Sequence, residues 1–257
     1  MSPDRWDPRQ YERFLQERGQ PFLDLMALVE PEPDMRVVDL GCGTGRLSRH
    51  LQQHLKPREI LGLDISPAML AESAGYASGG LHFALGDIAG FSADHSYDLV
   101  FSNSALHWIP DHPALFARLT AALAPGGQLA VQMPAMYQHP SHRVAAQVAS
   151  EPEFASALGG YVHREHLLSA GEYESMLARL GYSRRQVRFQ IYRHELPTRE
   201  EVVEWVKGTL LVPYQERLGA EMYERFLKRY REKLLPRLED ARPYVYEYRR
   251  ILLWGRL

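Results

Sequence analysis

Cysteine occurs once in this 257-residue chain, at position 42, so an internal disulfide framework is excluded and a reducing compartment is the natural setting. Apolar residues never run uninterrupted for the length of about 18 that a membrane-crossing helix needs. The N-terminal stretch MSPDRWDPRQYERF lacks the apolar segment of a secretory leader. Basic residues are not in excess either: 30 Lys and Arg stand against 32 Asp and Glu, a net charge of −2, which gives no electrostatic reason to expect a nucleic-acid partner. Internal repeats and low-complexity tracts are missing, and no spacing of ligand residues suggests a metal site. These absences leave a cytoplasmic globular protein, monomeric or weakly dimeric, with no membrane or nucleic-acid partner as the expectation.

What is present is an ordinary globular composition, 45% hydrophobic and 24% charged, at a length that suits one large domain or one domain carrying a smaller cap. The first half alternates short apolar runs with helical stretches. RVVDLG, EILGLDI, LHFALGD, YDLVFSN and GQLAVQMP read as strands; RLSRHLQQHL, SPAMLAESAGYA and HPALFARLTAAL between them read as helices. That alternation implies right-handed βαβ units and a parallel sheet buried on both faces. Past Met133 the rhythm changes. SAGEYESMLARLGY predicts a helix with Ser169 as N-cap, Glu172 completing a capping box and Gly181 ending it. Strand-like RRQVRFQIYRHEL and YEYRRILLWGRL then bracket two amphipathic helical segments, TREEVVEWVKGTLLVPYQERL and AEMYERFLKRYREKLLPRL. These predict a helical cap on the sheet, and the acids interleaved in the second segment make its basic residues a solvated face.

The stretch VVDLGCGTGRL carries the chemistry. A strand ending near Asp39 feeds glycines 41, 43 and 45 into a helix, which places the loop at the carboxyl edge of the sheet. Glycines there let the backbone turn sharply and let a ligand lie against it, and the helix start offers free N–H groups. The Gly-Lys-Ser/Thr of a P-loop is absent, whereas the glycine pattern alone does not exclude a dinucleotide. Asp39 discriminates. A carboxylate beside the loop is a poor neighbour for a pyrophosphate and suits a ligand carrying an ammonium and a sulfonium cation. Asp98 in YDLV opens a strand and has no chemical role in this reading.

DLGCGTG resembles motif I of the class I S-adenosylmethionine (SAM)-dependent methyltransferases, and the order of the segments over residues 36–134 agrees. The resemblance implies a Rossmann-like α/β fold with a mostly parallel seven-stranded sheet, the last strand antiparallel, and SAM as cofactor with S-adenosylhomocysteine as product. It also implies roles. Gly41, Gly43 and Gly45 pass the methionine part of SAM, with Asp39 beside them and Cys42 a small residue against the cofactor. Asp64 takes the ribose hydroxyls, Asp87 meets the adenine amino group, and Ile65 and Ile88 sandwich the ring. Asn103 to Trp108 lies beside the transferred methyl.

Beyond the cofactor half, WDPRQY, NSALHWIPDHPALFARL, LAVQMP, LPTREEVVEWVKGT and RYREKLL resemble the trans-aconitate methyltransferase family, which implies methyl-ester formation on a small polycarboxylic acid. The chain departs from that family's pattern at Val212, which precedes Pro213 where an arginine is expected. The expected domains are a lid over 1–30, a SAM-binding core over 31–134, and the rest of the sheet with a cap, mainly 135–166 and 197–240, over 135–257. Candidates to hold the acid are His107, Tyr137, His163, Arg164 and Tyr214, with Trp6, Tyr11, Trp108 and Trp205 as walls or lid. His107 is the candidate catalytic residue. It would be a base if the acceptor were a phenol or alcohol, and a mere binder for a carboxylate, already ionised at neutral pH. A non-catalytic SAM-binding protein is the remaining alternative.

Overall fold

The computed structural model describes residues 15–257. After helix α1 (Leu15–Met26) the chain alternates β1 (Arg36–Leu40), α2 (Arg46–Leu55), β2 (Glu59–Asp64), α3 (Pro67–Ser73), β3 (Leu81–Leu85), β4 (Tyr97–Asn103), α4 (His112–Ala121) and β5 (Leu123–Pro134). Helices α5 (Pro140–Ala149), α6 (Pro152–Ala157) and α7 (Ala170–Arg179) follow. The chain ends with β6 (Arg184–Leu196), α8 (Glu201–Lys207), α9 (Val212–Leu234) and β7 (Tyr244–Arg256). All seven strands join one sheet in the order β3-β2-β1-β4-β5-β7-β6. Strands β1 to β5 pair in parallel, and β7 runs antiparallel to β5 with Gln128 opposite Arg256 and Pro134 opposite Arg250.

The central strands β1, β4 and β5 carry continuous apolar runs because both faces are covered there. Along β1, Val37 joins one core with Phe22, Leu25, Leu51 and Phe101, whereas Val38 and Leu40 join another with Phe116, Leu119, Tyr173 and Ile251. Strand β4 splits the same way, Leu99 and Phe101 to the first core and Val100 to the second. Burial of this kind contributes roughly 1.5–3 kcal/mol for each large apolar side chain. Helix α7 starts as the spacing predicts: Ser169 Oγ accepts from Glu172 N, and Glu172 reciprocates on Ser169 N. Asp98 accepts from the Arg36 backbone N–H at 2.7 Å, joining the starts of β4 and β1.

Two compact units divide the chain. One comprises residues 16–135, 166–190 and 249–257, and contains β1 to β5 with α1 to α4 and α7. The other gathers residues 136–165 and 191–248 around a core of its own, in which Phe154, Trp205, Tyr214, Phe226, Tyr230 and Tyr246 are nearly inaccessible. Its helices break once where the sequence reading did not put a break and once where it did. The predicted segment through Leu218 stops at Lys207, and helix restarts at Val212 and runs to Leu234. Pro213 explains the restart, because a residue without an N–H is tolerated in the first turn of a helix and not inside one. Gly219, at φ 68° and ψ 169°, breaks α9 between Leu218 and Ala220, where the two predicted segments meet. Arg229 and Lys233 of α9 bond Glu151, and Arg231 bonds Glu204, so the basic residues form a paired, solvated face.

Candidate active site

Strand β1 lies between β2 and β4, the point where the strand order reverses, and the crevice outside the carboxyl ends of such strands is where open α/β sheets bind ligands. The glycine loop occupies that place. Gly41, Gly43 and Gly45 have φ of 79°, 55° and 76°, a region other residues rarely enter. Their surroundings differ. A side-chain carbon on Gly41 would meet Ala105 Cβ at 2.2 Å, and one on Gly45 would meet the Phe83 ring at 2.6 Å, so those two are held by packing. Around Gly43 nothing lies within 4 Å of that position, leaving a gap a ligand can enter. Helix α2 begins directly after Gly45 with no side-chain cap on its first N–H groups.

Two carboxylates flank the loop. Asp64, at the end of β2, accepts from Gly43 N at 2.8 Å and from Ser66 N at 2.9 Å, tying the loop to the start of α3. Asp39 is 4% exposed and accepts from Ser48 Oγ at 2.6 Å. Burial pushes its carboxyl up to about 6, the Ser48 bond opposes this, and the Asp64 charge adds to it. A nearby cation would restore the ionised form. Burial raises the Cys42 thiol far above its usual range, which suits a small packing residue and not a nucleophile.

This arrangement fits SAM. The open face at Gly43 is a cradle a side chain would fill, and the buried Asp39 carboxyl gains from a cationic ligand. Ile65 keeps 47% of its surface exposed, and Ile88 is half-buried with its Cδ1 near Gly41, so both are apolar surfaces for a flat ring. Asp87 is exposed and accepts from Ala89 N at 2.9 Å, capping the turn that carries Ile88. Those residues, with Asp64, are the ones that would hold the cofactor. Among the described residues no group of three or more His, Cys, Asp or Glu could hold a metal ion.

The segment after β4 abuts the glycine loop through Ala105. Asn103 and Ser104 are half-buried, and Ser104 has φ 61°. His107 and Trp108 sit in a short 3-10 turn with ring centroids 4.8 Å apart. Sequence reasoning missed what fixes this segment. His112 accepts from Tyr173 Oη through Nδ1 and donates to the Leu106 carbonyl through Nε2 at 3.2 Å, and its burial lowers its pKa. Arg250, 4% exposed, donates to Ser104 Oγ at 2.9 Å and to Gln132 Oε1 at 2.8 Å. The available signal was a polar residue inside an apolar strand run, Gln132 in LAVQMP and Arg250 in YRRILLWG.

The remaining candidates fall in the second unit. Tyr137 and Arg164 are exposed. Tyr214 is fully buried: its hydroxyl accepts from His163 N at 2.9 Å and its ring stacks on Phe226. Trp205 is 1% exposed, packed among His194, Tyr246 and Tyr248. Both residues pack into the core of their unit, because an apolar helix face buries its aromatics first. Val212 is likewise buried at the start of α9. Trp6 and Tyr11 lie outside the described residues. Two histidines not singled out from the sequence share Ser141: Oγ lies 2.8 Å from His139 Nδ1 and 3.1 Å from His142 Nδ1.

The sheet order, the glycine loop and the strand-end acids define a class I SAM-dependent methyltransferase. Residues 37–127 match a family model described as a methyltransferase domain. The YcgJ protein of Bacillus subtilis shares the fold, with a TM-score of 0.61 at 14% identity over 93% of this chain and 98% of that one. A phosphoethanolamine N-methyltransferase of Haemonchus contortus, solved with S-adenosyl-L-methionine, gives 0.54 at 17% identity over 92% of this chain and 52% of its own. Among relatives, the trans-aconitate 2-methyltransferase of Deinococcus radiodurans is 42% identical over 96% of both chains. That of Variovorax paradoxus is 39% identical over 98% of this chain and 96% of its own. The chain belongs to the trans-aconitate 2-methyltransferase family, and it is a SAM-dependent enzyme.

Proposed function

We propose that this enzyme methylates a carboxylate of a small polycarboxylic acid, trans-aconitate being the first choice, to give a methyl ester. The observation that carries the reading is the identity of 42% maintained over 96% of a trans-aconitate 2-methyltransferase, well beyond the cofactor half. When bound, SAM supplies an electrophilic methyl group on a positively charged sulfur. The chain's own residues have the remaining tasks. Asp64 and the open face at Gly43 hold and align the cofactor, and Asp39 favours its positive charge. The acceptor carboxylate is ionised at neutral pH, so no residue need remove a proton. Orientation and exclusion of water then account for most of the acceleration. His107 and Trp108 after β4 are our acceptor-side candidates.

The test is a comparison of initial rates on trans-aconitate, on its neutral triester and on simple phenols. Turnover of the free acid with none of the triester supports the reading. Turnover of phenols alone, lost in His107→Gln, would replace it with base-assisted O-methylation.

A further inference from the structure

We infer that Arg250, acting through Gln132, sets Asn103 and Ser104 to present hydrogen-bond donors to a carboxylate at the carboxyl end of β4. The inference rests on the proposed function and deepens it.

A guanidinium can only donate. Arg250 Nη1 lies 2.8 Å from one terminal atom of the Gln132 amide, so that atom must be the acceptor Oε1. The Nε2 of Gln132 therefore faces the other way, and it donates to Asn103 Oδ1 and to Ser104 Oγ, both at 3.0 Å. With its oxygen turned to Gln132, the Asn103 amide keeps its two N–H donors for a ligand. Ser104 Oγ accepts from both Gln132 Nε2 and Arg250 Nη1, the latter at 2.9 Å, which uses its two lone pairs and leaves its own proton to donate. Gln132 is fully buried and Arg250 nearly so, whereas Asn103 and Ser104 are half-buried. Reversing the Gln132 amide would turn an N–H toward the guanidinium, a repulsive contact that low local dielectric strengthens. Ser104 is thus locked as a donor and Asn103 is oriented as one, and the residue after them, Ala105, is the one a side chain on Gly41 would strike.

Paired neutral donors match carboxylate oxygens. Two carboxylates are available to this enzyme: that of the methionine part of SAM and that of the methyl acceptor. Arg250 is a positioning residue in either case, because it acts through Gln132 and Ser104.

The experiment measures Kd for SAM and for decarboxylated SAM, and KM for the acid, in wild type, Asn103→Asp, Arg250→Met, Arg250→Lys and the double variant Asn103→Asp/Arg250→Met. Asn103→Asp replaces donors by a charge of the wrong sign and should weaken the carboxylate-bearing ligand about tenfold or more. If the methyl acceptor is the ligand, KM rises and Kd for SAM stays within about twofold. If SAM is the ligand, Kd for SAM rises and that for decarboxylated SAM does not. Arg250→Met should change the same parameter less, Arg250→Lys should restore part of it, and the double variant should be no worse than Asn103→Asp alone. The proposal is overturned if neither variant changes either parameter, or if Arg250→Met weakens SAM and decarboxylated SAM alike, which is general loosening. A wild type that esterifies no acid overturns the proposed function itself, and the donor pair is then judged on the two cofactors by the same criteria.

Discussion

Ser48 donates its hydroxyl to Asp39 Oδ2 across 2.6 Å, one turn into the helix that the glycine loop begins. That bond lowers the carboxyl's pKa while burial, the larger effect, raises it to about 6. Binding of a cationic cofactor should therefore be linked to ionisation of Asp39. Because the folded value lies above the unfolded one of 3.8, protonated Asp39 favours the folded state at low pH, and that contribution is lost as pH rises through about 6. We expect SAM affinity, measured by calorimetry, to rise from pH 5 to pH 7 with an apparent midpoint near 6. Asp39→Asn should remove that dependence, weaken SAM about tenfold or more, and stabilise the ligand-free protein at pH 7 by up to about 3 kcal/mol.

The glycine loop separates a folding requirement from a binding one. Gly41→Ala places a carbon 2.2 Å from Ala105 Cβ at φ 79° and should lower stability by more than about 2 kcal/mol. Gly43→Ala meets nothing within 4 Å, so its stability cost should stay near the roughly 1 kcal/mol of its φ, while SAM affinity falls steeply. Thermal melts and SAM titrations of the two variants check this. Equal loss of affinity per unit of stability in both would contradict a ligand-facing Gly43.

Acid should unfold the protein earlier than its carboxylates alone dictate. Burial lowers His139 to about 4, and burial, then the neighbouring His163 and His139, lower His142 to about 3. Both remain neutral in the folded state while the unfolded chain gains protons below about 6.5. Stability should fall as pH drops from 6.5 toward these values, by up to about 1.4 kcal/mol per pH unit for each histidine. His112, lowered in the same direction, adds to this, and Asp39 opposes it between about 6 and 3.8. Urea midpoints at pH 7 and pH 5 read the sum. A double His139→Asn/His142→Gln variant should flatten the slope.

Trp205 tests packing against recognition. Its ring centroid lies 5.0 Å from that of His194 and 5.5 Å from those of Tyr246 and Tyr248. Truncation to Ala should cost about 3–5 kcal/mol, and Trp205→Phe far less, with KM for the acceptor unchanged in the phenylalanine variant. A raised KM without loss of stability in that variant would make Trp205 a contact residue after all.

Much of this was legible because it is local. VVDLGCGTG combines apolar strand, glycines and acid within a few residues, and Ser169 with Glu172 caps a helix by spacing alone. Arg250 stood out as a charge in an apolar run, but its partner was not legible, since it meets Ser104 across 146 positions and only the antiparallel insertion of β7 beside β5 brings them together. Tyr214 and Trp205 read as candidates because aromatic side chains line sites and cores alike, and their burial is a property of the tertiary packing, which spacing does not carry. The break before α9 was hidden by continuous amphipathic spacing, which Pro213 interrupts without altering the apolar pattern.

The most direct test of the whole account is transfer of a labelled SAM methyl group to trans-aconitate, followed by mild alkaline treatment of the product. The account predicts a labelled acid one methylene unit heavier than its parent, whose label is released by base as an ester's would be. Label that withstands base, or that appears only on phenols, would contradict carboxylate methylation.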